Sequence, residues 1–203
     1  MGLDVYLCRF KDVSTGAILK LSHFVDVWNA MPVVERGSFE EVTRKAVELG
    51  LPETAARQSL YGGTHISFPS KKHPEWSVGD WYSLGGVFEL LERYTQKNIY
   101  FVFPEAKGNP SFFRPDWSAS RKRLAGILEE LQTLNQEQIE NYRRQLVMSN
   151  IPPSLLQKVK PTMLVSASEI FANKLGQIEV MIETLDYVLN NERPDEFLLR
   201  WSS

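Results

Sequence analysis

Apolar and polar positions alternate with a period of two at the start of the chain. Over residues 3–10, Val5, Leu7 and Arg9 fall on one side of an extended strand, and Asp4, Tyr6 and Cys8 on the other. Ser14, Thr15 and Gly16 mark a turn, and residues 17–22 predict a second strand that closes a hairpin. The period then lengthens. Ser38 with Glu41 makes a capping box for a helix over residues 39–49, which Gly50 and Pro52 stop. A shorter helix over 53–60 ends at Gly62-Gly63, and THISFP reads as a brief strand ended by Pro69. Asp80 or Ser83 opens a helix to about Thr95, with Val87, Leu90, Leu91 and Tyr94 as its apolar stripe. Gly85-Gly86 in its first turns costs about 1 kcal/mol per glycine unless close packing offsets it. The unbroken apolar run NIYFVFP, residues 98–104, predicts a strand covered on both faces.

Beyond the loop EAKGNPSFFRP the pattern becomes helical. Leu124, Ile127, Leu128, Leu131 and Leu134 define one side of a helix over residues 118–147. Its spacing slips before Ile139, where Asn135 with Gln138 predicts a fresh start or a kink. Pro152, Pro153 and Pro161 interrupt the chain, and Ser166 with Glu169 caps a last long helix. There Phe171, Leu175, Ile178, Ile182, Leu185 and Leu189 repeat every three or four residues, a coiled-coil type of seam. Folding back on residues 118–147 as an antiparallel pair covers it most simply, and a second copy of the chain, in a homodimer, is the other candidate cover. Pro194 ends the helix before the short tail DEFLLRWSS.

These elements predict a helix-dominated α+β fold. A small sheet drawn from residues 3–22, 64–68 and 98–104 packs with helices near 39–60 and 83–95, and a helical hairpin follows. Residues 1–117 form the α+β core with an aromatic-rich region. Residues 118–203 form the hairpin and tail of the same compact unit.

Composition narrows the function classes. Of the 203 residues 43% are apolar and 24% charged, which suits a globular core. The formal charge of -2 gives no general attraction to nucleic acid or anionic membranes. The basic groups Arg121, Lys122, Arg123 and Arg143, Arg144 lie among Glu129, Glu130, Glu137 and Glu140, as on a solvated helix face. The single cysteine, Cys8, excludes an internal disulfide and a cysteine-rich zinc site, and its apolar neighbours predict a buried, inert thiol. No apolar run reaches the roughly 20 residues of a bilayer span, and no signal core is present, so a cytoplasmic protein is expected.

The stretch YGGTHISFPSKKHPEW, residues 61–76, looks most like chemistry. It lacks the lysine and second glycine of a Walker loop, and its glycines follow a helix instead of a strand, the reverse of a dinucleotide fingerprint. His65 and His73, with Glu75, Asp80 or His23, do not form a dense ligand pattern, so no metal and no cofactor are expected. There is no GxSxG elbow. The aromatic distribution says more: thirteen of the 23 aromatic residues lie between Tyr61 and Trp117. Trp76, Trp81, Phe112 and Phe113 flank loops near Lys71, Lys72 and Arg114, as a recognition surface would.

The opening MGLDVYL, with the later segment WSVGDWYSLGGVFELLERY, resembles uncharacterised proteins of bacteria and their phages. The resemblance implies a phage or mobile-element origin and carries no activity. Two functions are expected from these readings. The first is a non-catalytic cytosolic protein that binds a host protein through Trp76, Trp81, Phe112 and Phe113. The alternative is a small-molecule or nucleotide-binding protein, or a hydrolase, with a site around His65, Lys71, Lys72 and His73.

Overall fold

The computed structural model describes residues 4–9, 44, 47–48, 64–81, 85–107, 112–141 and 167–202. The fold is α+β and helix-dominated.

The sheet is built around β1 (Asp4–Arg9), whose alternation buries Val5 and Leu7 as expected, and Cys8 besides. On one side β1 pairs with two short strands along a single edge. β2 (Thr64–His65) lies opposite Arg9 and Cys8, and β5 (Asp80–Trp81) opposite Tyr6 and Val5. Between them the chain runs out as a two-stranded antiparallel ribbon, β3 (Phe68–Pro69) with β4 (Ser77–Val78). Gly79 joins the ribbon to the sheet. Its φ of +90° favours glycine, and a Cβ there would overlap the Ile66 carbonyl oxygen. The Gly79 carbonyl accepts the Leu7 N–H at 2.6 Å, and the Leu7 carbonyl accepts the Ile66 N–H at 3.0 Å. On its other side β1 pairs antiparallel with the chain terminus, β7 (Phe197–Ser202), through six residues from Asp4 opposite Ser202 to Arg9 opposite Phe197. β6 (Phe112–Phe113) flanks β7.

The helices that accompany the sheet include α1 (Gly85–Thr95), α2 (Ile99–Val102), α3 (Trp117–Gln132) and α4 (Ala167–Leu189). Asp116 caps α3 by accepting the Ala119 N–H at 2.9 Å. The slip in spacing near residue 135 is a real break. Asn135 and Gln138 cap each other reciprocally, each side chain accepting the other's backbone N–H at 2.9 Å, and residues 136–141 are helical again. α3 and α4 are antiparallel, as expected: Arg121 chelates Asp186 at one end and Gln136 bonds Ser168 at the other. The Gly85-Gly86 start of α1 also finds its close neighbour. Lys174 of α4 lies so near that a Cβ on Gly86 would be 3.2 Å from its Nζ.

The core joins all these elements. Val5, Leu7, Phe197 and Leu199 from the sheet meet Leu90 and Leu91 of α1, Leu124, Ile127 and Leu131 of α3, and Ile178, Met181 and Leu185 of α4. Within it Trp81 stacks on Phe103, with centroids 6.0 Å apart, and Phe103 meets Phe113 edge to face at 5.9 Å.

Two expectations are corrected. Residues 98–104 are not a strand. The Asn98 side chain accepts the N–H groups of Tyr100 and Phe101 at 3.1 and 3.3 Å, which turns Ile99–Val102 into one helical turn, and Phe101 is left 43% exposed. The strand missing from that segment is supplied by the tail, whose Phe197, Leu198 and Leu199 are fully buried. On α4, Phe171, Ile178 and Leu185 of the seam are buried, but Leu175 and Ile182 are half-buried and Leu189 is 38% exposed. Val180, Met181, Thr184 and Val188 are buried instead, because α4 is covered by α3 on one side and by the ribbon and sheet on another. The helix expected over 39–49 is seen at Arg44, Val47 and Glu48, where Arg44 pairs with Glu48 one turn on. The strand at 17–22, the helix at 53–60 and the cap Ser166 lie outside the described residues. Among the described residues no helix is long and apolar enough to cross a membrane.

Candidate functional site

The polar stretch singled out in the sequence is the tip of the ribbon, clasped against α4. Ser70 organises the tip. Its buried hydroxyl accepts the N–H groups of Lys72 and His73 at 3.3 and 3.1 Å, a serine turn, and donates to Glu183 Oε2 at 2.6 Å. Ser70 N–H bonds the Trp76 carbonyl at 2.9 Å, closing the loop on itself. Glu183 Oε1 takes the Lys71 N–H at 3.1 Å, so one carboxylate holds the turn with both oxygens.

The rest of the clasp follows the helix at intervals of three or four residues. Glu179 sits one turn before Glu183, where its Oε2 lies 2.6 Å from His73 Nε2 and its Oε1 3.6 Å from Lys72 Nζ. A turn earlier, Gly176 leaves room for Trp76: a Cβ at Gly176 would lie 2.9 Å from Trp76 Cη2 and 3.1 Å from His73 Cε1. At the other end Tyr187 meets Phe68 edge to face, with centroids 5.0 Å apart. The base is fixed by Thr184. Its hydroxyl accepts from Gly79 N–H and Trp81 Nε1–H, both at 3.0 Å, and donates to the Val180 carbonyl at 2.9 Å.

Beside this clasp runs an open groove of about 520 Å³. Its apolar part is formed by Phe68, Ile182 and Tyr187. Lys71 and Lys72 overhang it from the ribbon tip and Arg121 from α3. The α4 carboxylates Glu179, Glu183 and Asp186 also line it, and each is already engaged: Glu179 by His73 and Lys72, Glu183 by the Ser70 turn, Asp186 by Arg121 Nε and Nη2 at 2.9 and 3.3 Å. The chelation holds Arg121 charged and raises its pKa further.

The residues expected to act together are only partly gathered here. Lys71 and Lys72 line the groove, while His73 turns to Glu179 and Trp76 to Gly176. His65 lies at the other end of the stretch, on β2 opposite Cys8. Phe112 is on β6 opposite Arg200. Trp81 and Phe113 do not form an exposed recognition surface. They are 3% and 2% exposed, packed on either side against Phe103, and Trp81 also donates its indole N–H to Thr184. Cys8 is the buried thiol expected, its pKa pushed up to about 12 by burial, with Arg200 opposing and Asp80 adding to the shift. Among the described residues no group of three or more His, Cys, Asp and Glu is placed to hold a metal. Sequence reasoning missed Arg121, Ile182, Glu179, Glu183 and Tyr187 as groove residues. The polar members recur as Glu179, Glu183 and Tyr187, four apart, a second stripe beside the apolar seam.

Fold and site together define an α+β protein that clasps a β-ribbon onto a long helix and leaves a groove open beside the clasp. No protein-family model matches the chain, and neither does a curated protein or a solved structure.

Proposed function

We propose that the protein is a non-catalytic binding protein whose contact surface is the groove between the ribbon tip and α4. The observation that carries this reading is the pairing of an apolar floor, Phe68, Ile182 and Tyr187, with a charged rim. The clasp holds the ribbon tip to α4 through Ser70, His73 and the Lys71 N–H, so the rim is largely preorganised and loses little entropy on binding. With the resemblance of its opening to phage and bacterial proteins, the reading makes the chain a cytoplasmic modulator of a host protein. The test places the photo-crosslinker p-benzoylphenylalanine at Lys72, which is 71% exposed, or at the exposed Lys107, in separate proteins. Irradiation in bacterial lysate should give a discrete adduct from position 72 and none from 107. Adducts from 107 alone, or none from 72, would overturn the reading. A homodimer would appear in the same experiment as a crosslink between two copies. It would use Leu175, Ile182 and Leu189, the seam positions left partly open on α4.

A second reading, a nucleotide or other small anionic ligand, is favoured by the convergence of Lys71, Lys72 and Arg121 beside two aromatic rings. It requires ATP or GTP to raise the melting temperature of the native chain and not that of the Lys71→Gln, Lys72→Gln variant.

A further inference from the structure

Resting on the groove reading above, we infer that the occupant is an extended acidic peptide segment, an aspartate or glutamate next to an apolar side chain, whose carboxylate meets Lys71 and Lys72 while the apolar group lies on Ile182 and Tyr187. By formal charge the lining is balanced, three carboxylates against Lys71, Lys72 and Arg121. By hydrogen-bonding capacity it is not. Both oxygens of Glu183 and of Asp186 and Oε2 of Glu179 already accept a protein hydrogen bond, and Glu179 Oε1 faces Lys72 Nζ at 3.6 Å, so most of these oxygens keep one acceptor site at most. On the donor side, Lys71 Nζ and Arg121 Nη1 have no partner among the described residues, and Lys72 Nζ makes a single contact at 3.6 Å. The groove therefore offers more open N–H donors than open acceptor sites, its two lysines are more exposed than its three carboxylates, and a carboxylate complements that surplus. A basic occupant would share nearly every oxygen with a donor the protein already supplies.

Shape favours a chain over a compact ligand. At the end of α4, Asn190 and Asn191 line both this groove and a second cleft of about 480 Å³ that continues toward Arg9 and Arg193. Two amide side chains at the junction, each with a donor and an acceptor, suit the peptide groups of an extended backbone crossing from one cleft to the other. In the second cleft Arg193 and Arg9 share Glu196, at 3.0 and 4.0 Å, and Glu192 completes its lining. It is a mixed, polar trough that leaves the anionic anchor to the first groove.

The experiment is selection of a random heptapeptide display library on the immobilised full chain, followed by fluorescence anisotropy of the enriched peptides. Enriched sequences should carry Asp or Glu beside Leu, Ile, Phe or Trp. Their affinity should fall about tenfold for the Lys71→Gln, Lys72→Gln variant and with added salt, and should not change for Lys107→Gln. Both lysines are exposed, so folding is preserved, which circular dichroism checks. Enrichment of neutral or basic peptides, equal binding by the double variant, or no enrichment over bare support would each overturn the inference. An adduct at position 72 alongside non-acidic peptides would keep the groove as the contact surface and discard the acidic partner. Loss of both would discard the groove itself. Displacement of every enriched peptide by ATP at its own binding concentration would assign the site to a nucleotide instead.

Discussion

Replacing Gly176 by alanine separates the clasp from ordinary helix energetics. In the interior of a helix, Gly→Ala gains about 1 kcal/mol from backbone entropy alone. Gly126 in α3 is the control, because a Cβ there meets nothing within 4 Å. Gly126→Ala should therefore stabilise by about 0.5–1 kcal/mol. At Gly176 the same methyl would lie 2.9 Å from Trp76 Cη2, closer still to Cζ3, and 3.1 Å from His73 Cε1. Carbon atoms settle at about 3.5–4.0 Å, so the indole must shift by more than half an ångström. Its ring also lies against His73, 5.2 Å away, which is tied to Glu179. Overpacking of this kind costs about 1–3 kcal/mol. Set against the propensity gain, Gly176→Ala should destabilise by about 1 kcal/mol, or lower the melting temperature by about 2–4 °C for a chain of this size.

Urea unfolding of both variants reads the difference, and a Trp76→Ala background completes the argument. Without the indole, Gly176→Ala loses its main clash and should become stabilising, which gives a coupling of about 2 kcal/mol between positions 76 and 176. If Gly176→Ala stabilises the native chain as much as Gly126→Ala does, Trp76 does not lie on α4, and the clasp does not hold the ribbon tip there.

Two further predictions probe the interior. Thr184→Val keeps the shape and removes the hydroxyl, leaving the buried Gly79 N–H and Trp81 Nε1–H without an acceptor, so stability should fall by about 2–4 kcal/mol by chemical denaturation; a loss below 0.5 kcal/mol would mean those donors find other partners. Cys8 has its folded pKa raised from 9.0 to about 12, so the stability linked to its protonated form is intact below pH 9 and is lost as pH rises from 9 toward 12. The urea midpoint of the native chain should accordingly drop more steeply between pH 8.5 and 10.5 than that of Cys8→Ala, and parallel slopes would contradict a desolvated thiol.

The sequence carried the helices further than the sheet, for a physical reason. α1, α3 and α4 each have enough turns for their period to show, and the Asn135–Gln138 cap identified a break that spacing alone left ambiguous. Residues 98–104 misled because a short apolar run has no period. One side-chain acceptor at Asn98, followed by Pro104, was enough to coil it. The tail FLLRWS is apolar in the same unpatterned way, yet it lies beside β1 in the middle of the sheet. What distinguishes the two runs is the partner: residues 197–202 have a six-residue edge of β1 to pair with, and pairing over that separation leaves no local mark.

The site was half legible for a related reason. Lys71, Lys72, His73 and Trp76 drew notice because they crowd one polar stretch, and they do sit at one place. What gives them a role is on α4, more than a hundred residues away, at positions a hydrophobic reading passes over. Glu179 and Glu183 look like solvated helix charges, and Gly176 looks like a weakness in the helix. Each is explained only by the ribbon it receives: Glu183 by the Ser70 turn, Glu179 by His73, Gly176 by the Trp76 ring. Since those carboxylates serve the fold, the donors left over at Lys71 and Arg121 are what the surface can offer a partner. What the clasp leaves uncommitted, more N–H donors than acceptor sites, is the ground on which an acidic partner is inferred for a groove of balanced formal charge.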